Sequence, residues 1–62
     1  DASVSVIART ALAADALSTG VFVMDPAAGT AFVDGLDGCE SLIIDRGGRQ
    51  WRSRGWRAAS VA

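Results

Sequence analysis

The stretch TALAADALSTGVFVM, residues 10–24, decides how the chain folds. Its length and spacing predict a helix from Ala11 to about Met24. Thr10 stands directly before it, where a hydroxyl accepts from the first free N–H groups. Leu12, Ala16 and Val23, with Leu17, Val21 and Met24, build a broad apolar face. Gly20 costs such a helix about 1 kcal/mol relative to alanine, which predicts a neighbour that needs a small residue there. The run carries one carboxylate, Asp15, with the hydroxyl of Thr19 four residues on.

Upstream, Ser3-Val4-Ser5-Val6-Ile7 alternates small polar and β-branched residues, the pattern of a half-buried strand. Downstream, Asp25-Pro26 pairs a helix cap with the residue favoured at the first helical position. A second helix is therefore expected from Pro26 to Asp34, with Ala28, Ala31, Phe32 and Leu36 facing inward. Gly35 and Gly38 punctuate a turn. Ser41 to Ile44 reads as a buried strand and Gln50 to Ser53 as its hairpin partner. Asp45-Arg46-Gly47-Gly48 between them supplies the positive-φ residues of a tight turn. Ala58 to Ala62 reads as linker-like. The order strand, helix, helix, strand, strand predicts an α+β unit: a small antiparallel sheet with two helices on one face.

Sixty-two residues make one small domain at most, and a chain of that size buries only about 60% of its unfolded surface. A lone cysteine, Cys39, allows no internal disulfide, and the lack of histidine rules out a small zinc-stapled module. Cys39 reads as a small core or turn residue, since no histidine or lysine is present to lower its pKa. The longest apolar stretch, Ala11 to Met24, is broken by Asp15 and is shorter than the roughly 20 residues that span a bilayer. The net charge of −1 conceals a division. Through Asp45 the chain holds seven acids and one base, Arg9; from Arg46 it holds five arginines and no acid. Trp51 and Trp56 among those arginines raise the possibility of stacked bases. Strand alternation instead puts Gln50, Arg52 and Arg54 opposite Trp51, with the tryptophan over the core, so no nucleic-acid partner is expected. The two adjacent glycines form no phosphate-cradling motif.

Residues four apart on a helix lie on one face, so Asp15 and Thr19 point the same way, with Ser18 close by. A carboxylate and a hydroxyl form a hard-oxygen pair suited to Mg²⁺ or Ca²⁺, and Mg²⁺ completes its octahedron with water and substrate phosphate. Spacing alone leaves this reading open beside a plainer one, in which Asp15 is a solvated surface residue.

Taken together, SVSVIARTALAADALSTGVFVMDPAAG resembles the C-terminal segment of the ApbE family, the FAD:protein FMN transferases. Members of that family carry a strand like SVTVIAP followed by TALLADALSTALFVLGPEKG. A LIID-type strand and a G-[KR]-x-[WY]-x-S hairpin strand come later, matched here by Leu42 to Asp45 and Gly48 to Ser53. The D-A-x-[SA]-T core is the most specific part of the likeness. The resemblance implies that Asp15 and Thr19 bind a catalytic Mg²⁺ and that FAD is the substrate. It also implies the reaction: a Thr or Ser hydroxyl of an acceptor protein bearing an S/T-G-A-S/T sequence takes FMN through a phosphoester, and AMP leaves. Acceptors of the redox-pump-subunit type and an extracytoplasmic, periplasmic or envelope-associated setting follow from the same likeness.

Departures from the family pattern are Arg9 for proline, Gly20 for alanine and Asp25 for glycine, none at the two ligand positions. Family members are several times longer, and their H-x-x-D-P-x-T-G region and most flavin contacts lie upstream. Residues 1–62 are accordingly expected to be a C-terminal piece of an ApbE-like chain, inactive alone and completed by the remainder of that chain. This segment offers no catalytic side chain of its own and no flavin-contacting residue that the resemblance identifies. The alternatives are a non-catalytic interaction module and, within the family, hydrolysis of FAD to FMN and AMP.

Overall fold

The computed structural model describes residues 2–61; Asp1 and Ala62, the outermost residues of the opening and closing segments, lie outside the described residues. The elements are β1 (Ser3–Ile7), α1 (Ala11–Phe22), α2 (Pro26–Asp34), β2 (Glu40–Ile44), β3 (Gln50–Arg52) and α3 (Trp56–Ser60). The strands form an antiparallel sheet in the order β1-β2-β3. Val4 pairs with Ile43 and Ile43 with Trp51. These three side chains therefore share a face, and on it they meet Val21 of α1 and Val33 of α2. The α+β sheet with two helices on one face is the architecture that the element order implied.

Both expected caps form. Thr10 Oγ1 accepts from Ala13 N at 3.0 Å, and Asp25 Oδ1 accepts from Ala28 N at 3.0 Å. Helix α1 stops at Phe22, two residues short of the expected Met24. The proline at 26 disfavours helical backbone at the residue before it, and Asp25 is extended, with φ −67° and ψ 155°.

The inward faces differ from expectation in detail. On α1 the row Ala14, Leu17, Val21 turns toward the sheet, while Leu12 and Val23 are 80% and 82% exposed. On α2 the buried residues are Gly29 and Val33, and Ala28, Ala31 and Phe32 face outward. The reason is steric. Gly29 lets α2 come so close that an added Cβ would lie 3.0 Å from Val21 Cγ1 and 3.3 Å from Ile43 Cδ1. The close approach expected at Gly20 occurs at Gly29 instead, because a Cβ at Gly20 would meet nothing within 4 Å.

The hairpin is tied by side chains as well as by its ladder. Gly48 adopts φ 85°, whereas its neighbour Gly47 does not need positive φ. Asp45 Oδ1 accepts from Gly47 N at 2.9 Å and from Arg49 N at 3.0 Å. Beyond β3, Ser53 N donates to Ser41 O at 2.9 Å, and Ser41 N donates to Ser53 Oγ at 2.8 Å. The Ser53 hydroxyl in turn donates to the Glu40 carboxylate, which also accepts from Gly55 N at 2.9 Å. From this knot the chain continues as α3, which takes in Ala58 to Ser60 of the stretch expected to be linker-like and packs against β2, while Ala62 lies outside the described residues. Local pattern missed α3 because it is five residues long and has no side-chain cap.

Two pairs of variants check this packing. Gly20→Ala is expected to stabilise the chain by about 0.5–1 kcal/mol, the helix-propensity difference, while Gly29→Ala lowers stability through overpacking. Opposite shifts in the urea midpoint confirm the assignment; equal shifts refute it. Ser53→Ala, which strips buried Ser41 N–H of its partner, is expected to cost about 1–3 kcal/mol in the same measurement, with Arg52→Ala as a near-neutral surface control.

Candidate functional site

The expected pair sits together. Asp15 and Thr19 occupy successive turns of α1 and both are exposed. At 100° per residue they lie on the side of the helix away from the row Ala14, Leu17, Val21 that meets the sheet, Thr19 more fully than Asp15. The remainder of that outward face is apolar: Leu12, Ala16 and Val23 flank the pair on one side, and Phe22, 61% exposed, lies on the other. A helix that is apolar on the side away from its own core is not patterned for water. Asp15 and Thr19 are thus two hard oxygen donors on an apolar ground.

Thr19 Oγ1 donates to Asp15 O at 3.0 Å, and Ser18 Oγ donates to the same carbonyl at 3.0 Å. Because the O–H of Thr19 is committed to the helix backbone, its oxygen lone pairs point outward, free to accept or to ligate. Among the described residues, no ion pair or hydrogen bond occupies the Asp15 carboxylate. No group of three or more His, Cys, Asp or Glu side chains gathers at one place among these residues. The pair therefore fits a cation that draws its other ligands from water and phosphate, as Mg²⁺ does, and does not fit a cation needing an all-protein cage.

Round the C-terminal end of α1 from this pair opens a cleft of about 300 Å³. Val4, Val21, Phe22, Met24 and Ile43 contribute to its walls. Asp45 and Arg46, from the turn after β2, also line it. The Asp45 carboxylate receives the Trp51 indole N–H on Oδ2 at 3.2 Å, in addition to its two backbone donors. The indole bond first, and then the Arg49 N–H, hold its pKa below the ordinary 3.8. Sequence reading missed the cleft, whose walls come from three separate stretches of the chain. The signal that was present is the apolar Phe22 at an outward helical position.

The other candidates are structural. Cys39 packs half-buried against the core. Trp51 also packs there, and the Arg49 guanidinium lies 4.1 Å from its ring centroid. Arg54 pairs with Asp34 at 3.9 Å.

A family model described as ApbE family matches residues 2–58, nearly the whole chain. Neither the curated proteins nor the solved structures give a match.

The lowered Asp45 pKa sets a pH dependence. Its contribution to stability is present above 3.8, the unfolded value, and is lost as pH falls through the lower folded value. Urea titrations across the acid range are expected to show the advantage of the parent over Asp45→Asn shrinking on acidification below pH 3.8. A gap between the two proteins that stays constant with pH contradicts the hydrogen-bonded carboxylate.

Proposed function

Because this chain belongs to the ApbE family, a family of flavin-transferase type, we propose that it is part of a Mg²⁺-dependent FAD:protein FMN transferase in which Asp15 and Thr19 hold the metal. The observation that carries this reading is the placement of those two oxygen donors at the centre of the outward apolar face of α1. Resemblance supplies the reaction: a Thr or Ser hydroxyl of an acceptor protein attacks the FMN-side phosphorus of FAD, AMP departs, and FMN remains as a phosphoester.

Each residue has a definable part. Asp15 supplies the negative charge that fixes the cation at this helix face. Thr19 adds a neutral oxygen whose orientation is set by its bond to the Asp15 carbonyl. Ser18 bonds to that same carbonyl, half-buried at the edge of the face. Leu12, Val23 and Phe22 keep water from the flanks once the face is covered, which strengthens every charge interaction between them. The metal, when bound, neutralises charge on the pyrophosphate and its leaving oxygen. Such displacements are catalysed mainly by positioning and electrostatic stabilisation. The remainder of the ApbE-like chain supplies the covering surface and the other FAD contacts, and the working partner is an envelope-associated acceptor with an S/T-G-A-S/T sequence.

The test uses the complete encoded polypeptide with FAD, Mg²⁺ and a peptide bearing that sequence, read by intact mass. Transfer is expected to add an FMN-sized mass, and Asp15→Asn or Thr19→Ala to slow it by on the order of 10²–10³-fold. AMP release with an unmodified peptide assigns the chain to FAD hydrolysis. Intact FAD with the parent protein rejects the reading.

A further inference from the structure

We propose that the free edge of β3 is a docking site for an extended acidic segment of a partner protein, which adds to the sheet as a fourth strand. This docking site lies on the hairpin and is independent of the metal-binding reading of Asp15 and Thr19.

Strand β3 is an outer strand of the sheet. In an antiparallel ladder, successive residues turn their N–H and C=O groups alternately toward and away from the neighbouring strand. Arg49 O accepts from Asp45 N at 3.0 Å and Ser53 N donates to Ser41 O at 2.9 Å, so Arg49, Trp51 and Ser53 turn toward β2. Gln50, Arg52 and Arg54 turn the other way. Asp34 Oδ1 takes the Arg54 N–H at 2.8 Å and closes that end of the edge. Among the described residues, the backbone groups of Gln50 and Arg52 have no partner on this side. They are the main-chain hydrogen bonds that an added strand takes up.

Charge selects the strand that can bind there. Arg52 pairs with Leu42, so its side chain stands on the sheet face opposite the core, where Nη2 donates to Gln50 Oε1. Arg49 lies over the Trp51 ring at 4.1 Å, on the face that carries the core. Both arginines are exposed, and among the described residues neither pairs with a carboxylate. No acid follows Asp45 in the chain. A second copy of this edge would set arginine against arginine, a like-charge contact that disfavours self-pairing. An edge covered permanently is apolar, whereas exposed guanidiniums beside free backbone groups suit a reversible partner steered by charge. Acids three residues apart in an extended segment point to opposite faces. A Glu-x-x-Glu segment running antiparallel to β3 therefore sets its first carboxylate opposite Arg52 and its second opposite Arg49.

The test is fluorescence anisotropy of the complete encoded polypeptide with a labelled Thr/Val peptide carrying two glutamates three residues apart. Saturable binding that weakens with added salt is expected. N-methylation of the first glutamate removes the N–H that meets the Arg52 carbonyl and is expected to lower affinity about tenfold. The same change at the second glutamate, whose N–H points away from β3, leaves affinity unchanged. Arg52→Gln and Arg49→Gln are each expected to weaken binding about two- to fivefold, the loss of one exposed charge pair. Equal effects of the two N-methylations reduce the contact to charge attraction and overturn the strand addition. Unchanged affinity in both arginine variants overturns the selection for acids. Absence of binding, whether another segment of the complete chain or a second copy covers the edge, overturns the partner assignment.

Discussion

The close approach of α2 to the sheet at Gly29 is the constraint on which the rest of the structure depends. Only Val21, Val33 and Ile43 form the buried apolar core among the described residues. A core this small has no slack, so the helices must come nearly into backbone contact with their neighbours to exclude water. A side chain at Gly29 would hold Val21 and Ile43 apart. Once α2 is seated there, Trp51 closes the core from the third strand, and its indole N–H reaches Asp45 at the end of the second. The inner face of the sheet and the cleft beside α1 follow from that packing.

That geometry leaves α1 with two apolar sides and one core. The inner side is consumed by Val21 and its row, and the outer side carries Leu12, Val23 and Phe22 into solvent. The exposure of Leu12, Val23 and Phe22 is not explained by packing within residues 2–61, and Asp15 and Thr19 lie among them. A carboxylate ringed by apolar side chains interacts more strongly with a cation once the face is covered, because less water screens the charge. The same apolar surroundings make an uncompensated carboxylate unfavourable there. One face of α1 serves the fold, and the other stays apolar and exposed around Asp15 and Thr19.

Elements governed by local chemistry were readable directly. Thr10 and Asp25 cap their helices through hydroxyl and carboxylate groups a few atoms from the N–H groups they satisfy, and Pro26 fixes the backbone before it. Strand positions followed from two-residue alternation, and four-residue spacing put Asp15 and Thr19 on one helical face, while their reading as metal ligands came from the family resemblance. The inward set of α2 was not readable in this way. Hydropathy favours Phe32 as a core residue, yet the helix rotates Gly29 and Val33 inward because closeness of approach outweighs the size of the side chain buried. The same blindness assigned a packing role to Gly20. The Ser53 knot was visible only as part of a family pattern, since its partners Glu40 and Ser41 lie 13 and 12 residues away.

The amino-acid sequence by itself determined the order of the elements, their caps, the hairpin turn and the pairing of a carboxylate with a hydroxyl on one helical face. All of these depend on bonds or angles spanning at most a few residues. Tertiary structure alone decided which glycine carries the close approach, which way the apolar helix turns its carboxylate and hydroxyl, and that Phe22, Asp45 and Arg46 line one cleft. Those outcomes depend on which surfaces can approach most closely in three dimensions, and no window of local sequence contains both surfaces.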